Sequence, residues 1–252
     1  MTIIFININI VLLYQVVLVR IMKVYYKGLI LFLVSIHGCS AGYSNPDNSG
    51  DTYANAYILH KKVVVTVFWI GEDASLQNEY ITNTESSWDS RWVEHYGGVD
   101  DPLNRQGYFP ESHEPLENPF YFALPYNDFN HSGRKPSAYR VVPWSKTRSS
   151  WGSNESMCKN RWIKIIKGKK VAYAQWQDVG PFSDDDAEYV FGTAKPVSKI
   201  NQGAGLDVSP AVRDYLKLED IDVVDWVFVD DKDVPDGPWK LIVTTSPTNW
   251  DK

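Results

Sequence analysis

The sequence predicts a mainly β fold, a small barrel with long loop insertions and one or two short helices. Three observations support this class. β-Branched and aromatic residues are concentrated in short runs, clusters of Gly, Pro, Asn, Asp and Ser separate those runs, and only two segments carry helix signals. Many short strands divided by polar turns are typical of barrels. The chain of 252 residues, with a net charge of −6, is long enough for one such domain.

Six runs have the composition of strands, rich in Val, Ile, Tyr, Phe and Trp. A Lys-Gly-Lys turn separates the third run from the fourth, which predicts a hairpin, and an acidic segment rich in turn residues joins the last two. The predicted strands are 61–69, 120–124, 161–166, 171–178, 224–229 and 239–245.

Helix signals occur at two places. Ser209 and Pro210 have the residue types of an N-cap and a first helical position, and the apolar residues that follow them fall on one face. Residues 87–96 contain two Trp residues four positions apart, which favours a short helix there.

The N-terminal segment is predicted to lie outside the fold. Residues 1–38 contain three basic and no acidic residues, and an apolar run at 29–36 precedes a small residue and Cys39. This arrangement is typical of a secretory signal. Because Cys39 directly follows the predicted cleavage site, the segment resembles the signal of a bacterial lipoprotein, in which that Cys is lipidated. The apolar stretch before Met22 indicates an over-extended start.

An uncleaved anchor helix is the alternative, but the run at 29–36 alone is too short to span a bilayer. Residues 39–59 are rich in Gly, Ser, Asn and Asp, and we expect them to be a flexible tether. The Ser after Cys39 resembles the sorting pattern of the Gram-negative outer membrane. We therefore expect a lipid-anchored envelope protein, or a secreted one. The second cysteine, Cys158, is then unpaired and is expected to be a buried, inert thiol.

Several functional classes are excluded by composition and motif. The acidic balance and the lack of a Lys/Arg cluster argue against nucleic acid. No metal or cofactor is expected, because the chain has no dinucleotide or Walker fingerprint and its loop histidines lack ligand spacing. Residues 230–237 have the acidic character of a calcium loop but not its spacing. We expect a monomer.

Two segments carry a resemblance to a known family. Residues 171–182 form a predicted strand that ends in Asp178-Val-Gly-Pro-Phe, and residues 205–216 read Gly-Leu-Asp-Val-Ser-Pro before an Ala-containing helix. In this order they resemble the double-psi β-barrel of the rare lipoprotein A family, which has Asp-Arg-Gly-Pro-Phe followed by Asp-Leu-Ser. The resemblance implies a six-stranded double-psi β-barrel over residues 60–252, with an insertion at about 71–119.

The resemblance also implies a ligand class and a site. Expansins and family 45 endoglucanases use the same barrel, which implies peptidoglycan or another polysaccharide as the ligand. In these relatives the Asp of the Asp-Leu-Ser segment is the general acid or its equivalent, and Asp207 holds that position. Asp178 is expected to assist it, or else to cap a turn. A hydrolase needs a second carboxylate, for which Glu72 and Asp73 are candidates.

Aromatic residues near these acids are candidates for sugar stacking. Trp176 lies two residues before Asp178, and Trp69 lies near the end of the first predicted strand. Tyr121 stands where the lytic members of the family carry a His, which is a departure from their pattern. The sequence thus leaves three functions open. One is cleavage of cell-wall glycan, by a lytic transglycosylase or an endoglucanase-like hydrolase. The second is a non-catalytic, expansin-like binding module. The third is an envelope interaction protein whose large insertions cover the groove.

Overall fold

The computed structural model describes residues 57–76 and 78–246. The predictions for the signal segment 1–38, for Cys39 and for the tether up to residue 56 lie outside the described residues. Within the described ranges, no helix has the length and apolar character needed to cross a membrane.

The described chain contains ten strands and four short α-helices. The strands are β1 (His60–Val67), β2 (Arg105–Gln106), β3 (Phe109–Pro110), β4 (Tyr121–Leu124), β5 (Phe129–Asn130), β6 (Gly133–Arg134), β7 (Trp162–Lys167), β8 (Lys170–Val179), β9 (Leu206–Val208) and β10 (Ile221–Val229). The helices are α1 (Trp92–Tyr96), α2 (Ala138–Val141), α3 (Ala187–Val190) and α4 (Pro210–Leu216), and 3₁₀ turns lie at Ile200–Gln202, Asp231–Asp233 and Pro238–Lys240.

Six of these strands close into a barrel in the order β1-β10-β7-β8-β4-β9. The pairs β1–β9 and β4–β8 are parallel, and the other described pairs within the barrel are antiparallel. The predicted mainly β class with a six-stranded barrel is therefore confirmed. A closed mixed barrel of six strands is compatible with the double-psi fold. Closure also removes the unpaired strand edges that would otherwise invite pairing with another chain.

Alternation along the strands fills the barrel with aromatic and aliphatic side chains. Trp176 and Trp226 are fully buried inside it, and Phe228 packs against both rings, with centroids 5.9 and 5.2 Å away. Each such ring removes a large apolar area from water, which is the main stabilising contribution of a core.

The segment predicted as an insertion covers part of the barrel's outer surface. A second apolar cluster joins Phe68, Ile70, Trp92 and Tyr96 to the outward side chains Tyr121 and Ala123 of β4. This packing gives the outer face of β4 its own small core, so helix α1 and the loops around it are held against the barrel.

A buried polar network fixes the same segment. The Tyr121 hydroxyl donates to Asp100 Oδ2 at 2.9 Å and accepts the Ile70 N–H at 3.0 Å. Arg105 forms an ion pair with the fully buried Asp100. A buried carboxylate needs such partners, because an unpaired one would lose its hydration without compensation.

Two element predictions were wrong. Residues 239–245 do not form a strand: a 3₁₀ turn occupies Pro238–Lys240, and the side-chain amide of Gln175 makes both hydrogen bonds to the backbone of Thr244, at 2.9 and 3.1 Å. The sixth barrel strand is instead the three-residue β9. The helix predicted at 87–96 begins only at Trp92.

The second predicted helix is confirmed as α4. Ser209 is its N-cap, and its hydroxyl accepts the Val212 N–H at 3.3 Å, while Pro210 occupies the first turn. Helices α2 and α3 were not predicted, and each is a single turn of four residues.

Candidate active site

Two predicted acids lie on the two strands that flank β4 in the barrel wall. Ala123 on β4 pairs with Asp178 on β8 at one side and with Asp207 on β9 at the other. Asp207 pairs in turn with Thr66 on β1. Directly paired residues share a face of a sheet. These four residues, here called the acid row, therefore line one band on the outside of the barrel, with the small Ala123 side chain between the carboxyl groups.

Asp207 is held at the junction between β9 and helix α4. The Thr66 hydroxyl donates to its Oδ1, and the side chain is half-buried. Burial raises the pKa of Asp207 from its ordinary value of 3.8 to about 7, while the Thr66 hydrogen bond opposes the rise and the charges of Glu72 and Asp178 add to it. A carboxyl group with this pKa is protonated in a substantial fraction of molecules near neutral pH.

Asp178 lies near the end of β8, deeper than Asp207. Its Oδ1 accepts the Ser87 N–H at 2.7 Å, so a loop of the insertion lies over it. Burial raises the pKa of Asp178 from 3.8 to about 6, and hydrogen bonds from the Ser87 and Val179 backbones oppose the rise. The chain after Asp178 then passes close to the second acid, since a Cβ added at Gly180 would lie 3.6 Å from Asp207 Oδ2.

Glu72 brings a third carboxyl group to the same region. It follows the turn after β1, and its Oε2 accepts a hydrogen bond from the Asn83 side chain at 2.8 Å. Burial raises the pKa of Glu72, and its charge acts on Asp207. The structure therefore brings together Asp178, Asp207 and Glu72, which the sequence placed far apart.

The three aromatic candidates differ in accessibility. Trp176 and Tyr121 are 0% exposed, Trp176 inside the barrel and Tyr121 under the insertion. Trp176 nevertheless contacts the site, because its Nε1 donates to the Asp178 carbonyl oxygen at 2.7 Å. Trp69 is half-buried and accepts the Glu72 N–H on its carbonyl at 3.0 Å. Of the three residues, Trp69 alone is not fully buried.

Sequence reasoning missed the residues that hold the acids. Thr66 shares the outward face of β1, a position that strand alternation alone could have indicated. Ser87 and Asn83 act from within the insertion, and a sequence gives no signal for such long-range contacts. In the described ranges, no group of three His, Cys, Asp or Glu side chains is arranged to hold a metal ion.

The arrangement can supply a proton donor near neutral pH. Two carboxyl groups whose pKa values are both raised by burial, with a third nearby, are typical of acid–base sites. Comparison with known proteins adds no further constraint: no protein-family model matches the chain, and no curated protein matches its sequence. The structure itself supports a closed six-stranded mixed barrel that is compatible with a double-psi β-barrel.

Proposed function

We propose that this protein cleaves cell-wall glycan and is related to the rare lipoprotein A family, with Asp207 as the general acid. The single observation that carries the proposal is the raised pKa of Asp207, about 7, within the acid row. Cleavage of a glycosidic bond requires a carboxyl group that is still protonated at working pH and can donate to the leaving oxygen.

The proposed step is donation of the Asp207 proton to the glycosidic oxygen as its bond to the anomeric carbon breaks. In a lytic transglycosylase the substrate's own 6-hydroxyl then bonds to that carbon and its proton leaves to a carboxylate. In a hydrolase a carboxylate removes a proton from an attacking water instead. Glu72 is the candidate for that base, and Asp178 tunes Asp207 by its charge. The half-buried Trp69 is the remaining candidate for sugar stacking.

A non-catalytic binding module is the second candidate. It is favoured by the cover that the insertion provides, since Ser87 bonds to Asp178, and by the complete burial of Trp176 and Tyr121. Expansin-like modules need a groove but no proton donor. In both cases the proposed partner is peptidoglycan or another polysaccharide, and the proposed location is the envelope, with lipid attachment at Cys39.

Digestion of purified peptidoglycan by the full-length protein tests the proposal, with cellulose and chitin in parallel. Asp207→Asn removes the proton donor but keeps the shape of the side chain. Asp236→Asn is the matched control, because it makes the same chemical change at an exposed loop position. Products are identified by mass spectrometry.

Each outcome supports one of the candidate functions or refutes the proposal. Anhydro-sugar ends that disappear in Asp207→Asn and persist in Asp236→Asn support a transglycosylase. New reducing ends with the same dependence support a hydrolase and make Glu72→Gln the next variant. Retention on insoluble glycan without any product supports the binding module. If neither product nor retention is observed, the glycan proposal is refuted.

A further inference from the structure

A cavity lies on the barrel wall away from the acid row. Its volume is about 540 Å³, within the range of about 300–1,000 Å³ that ligand sites occupy. One side is the start of β1 and the residues before it, and the other is the segment 193–203 that follows α3. Its charged lining consists of four lysines, Lys61, Lys62, Lys195 and Lys199. We call it the lysine groove.

A β-bulge turns two adjacent lysines toward this groove. His60 pairs with Trp226 and Val63 with Val224, so three steps on β1 match two on β10. Both His60 and Val63 are buried, and the two lysines between them are exposed. Regular alternation would send one of two consecutive side chains inward, and the extra residue of a bulge removes that requirement.

The bulge is held in place by a specific bond. Lys62 has a φ of 54°, a left-handed conformation that is uncommon for residues other than glycine, and its N–H donates to Asp225 Oδ1 at 2.7 Å. Strained backbone of this kind persists only where the surroundings hold it. The outward position of both lysines is therefore built into the barrel.

The segment 193–203, which forms the other side of the groove, is also held in place. Pro196 packs on Gly205 so closely that a Cβ at residue 205 would lie 2.4 Å from the proline ring. The Val197 N–H donates to Asp186 Oδ2 at 2.8 Å. These contacts hold the segment that carries Lys195 and Lys199 on either side of them, so the four lysines face a cavity that already exists.

The ammonium groups of the groove form no ion pair among the described residues, and the neighbouring Asp225 carboxylate bonds to the Lys62 N–H instead. No carboxylate lies within 4 Å of the four ammonium groups in the part of the chain that the structure describes, and none lines the cavity. Burial lowers the pKa of His60 to about 4, so its imidazole adds no charge at neutral pH. A concentration of positive charge in a protein of net charge −6 attracts anions.

We propose that the lysine groove binds the carboxylate or phosphate groups of an anionic glycan. That the anion belongs to a glycan rests on the function proposed above. Lys62 and Thr66 are four residues apart on β1, about 13 Å at about 3.3 Å per residue, so one polymer can contact both the groove and the acid row. The exposed Leu59 and the Pro196 ring add apolar surface for sugar C–H faces.

Binding of three defined polymers to the full-length protein tests this inference. Polygalacturonate supplies carboxylates, phosphomannan supplies phosphates, and neutral mannan supplies neither. The groove variant changes all four groove lysines to Gln. The matched control changes Lys146, Lys169, Lys217 and Lys232 to Gln, which removes the same charge from exposed positions outside the groove. Affinities are measured calorimetrically at low salt and at about 0.3 M salt.

We expect wild-type protein to bind at least one anionic polymer, with weaker binding at high salt, and not to bind mannan. The groove variant should bind the polymer at least about tenfold more weakly, because the charged contacts of four lysines are lost. The affinity of the control should stay within about twofold of wild type. Equal losses in both variants, or no binding of either anion by wild-type protein, would overturn the inference.

The result is separable from the proposed cleavage. Asp207→Asn should retain binding of the anionic polymer, because Asp207 is not part of the groove. If peptidoglycan is not digested but the groove variant alone loses polymer binding, the proposed catalysis fails and the anionic site stands. If digestion occurs and the groove variant binds as wild type does, the groove assignment fails and the catalysis stands.

Discussion

Replacing Asp207 with Asn should stabilise the protein at alkaline pH and leave its stability unchanged at acid pH. In the folded protein the pKa of Asp207 is about 7, whereas the unfolded chain has the ordinary value of 3.8. Above pH 4 the unfolded chain has released this proton and the folded protein still binds it, so the stability contributed by this group falls as pH rises through about 7. Asn cannot ionise and removes that loss, and its Oδ1 can still accept the Thr66 hydroxyl.

The structure sets the size of the effect. A change of pKa from 3.8 to about 7 corresponds to about 4 kcal/mol at about 1.36 kcal/mol for each pKa unit. Because Asp207 is half-buried and water has partial access, this value is an upper bound, and we expect a difference of about 2–4 kcal/mol at pH 9. Near pH 4, where Asp207 is protonated in the folded protein, the difference should approach zero.

Urea unfolding at pH 4, 6, 8 and 9 measures this difference between wild type and Asp207→Asn. The exposed Asp236→Asn variant is the control and should give a small, nearly constant difference. Other buried carboxyl groups titrate in both proteins, so only the difference between the curves reports Asp207. A difference that does not change between pH 4 and 9, or a variant less stable than wild type at pH 9, would refute the assignment of burial as the cause of the raised pKa.

Three further predictions concern stability and reactivity. Tyr121→Phe removes the hydroxyl bonded to Asp100 and should lower the free energy of unfolding by about 1–3 kcal/mol in urea titrations; an unchanged midpoint would mean that the network does not hold the insertion. Ser209→Ala should cost about 1–2 kcal/mol, whereas Ser209→Asp should recover most of it; equal losses in both would argue against capping of α4. Cys158 is 0% exposed and burial raises its pKa, so the native protein should not react with a thiol reagent that labels it in urea; rapid native labelling would contradict this.

The sequence was most informative where local chemistry decides the structure. The Ser209-Pro210 pair specifies the start of α4 through a cap and a preset φ, and the β-branched run before Trp69 specifies β1. Five of the six barrel strands were predicted because each is a run rich in β-branched and aromatic residues. These are local properties, so they can be read from neighbouring residues.

The wrong strand predictions concern segments whose conformation is determined by residues distant in the sequence. β9 is only three residues long and exists because β1 and β4 pair with its two sides, which no local pattern reveals. Residues 239–245 have strand composition, but the Gln175 side chain takes the hydrogen bonds that a strand partner would make. In both places tertiary contacts override propensity.

The candidate site also combines residues that the sequence indicates with properties that depend on tertiary contacts. Asp178 and Asp207 were found because each ends or begins a recognisable motif. Their proximity to Glu72, and the burial that raises the pKa of all three, depend on the closed barrel and on the insertion above it. Residue identity suggested substrate contacts at Trp176 and Tyr121, but composition does not distinguish a ring in a groove from a ring in a core.

Because β4 lies between the two acid-bearing strands, the spacing of Asp178 and Asp207 and the accessibility of their carboxyl groups can be changed independently. The distance between the backbones at Asp178 and Asp207 is set by two interstrand hydrogen-bonded steps, about 9.5 Å, and changes in loop sequence leave it untouched. The insertion, by contrast, contacts Asp178 through the Ser87 N–H and carries Glu72, whose charge acts on Asp207. Shortening or exchanging that segment would therefore alter the access and proton affinity of Asp178 and Asp207, while the distance between their backbones stays constant. The barrel fixes the spacing of the two acids, and the insertion sets the pH at which they titrate.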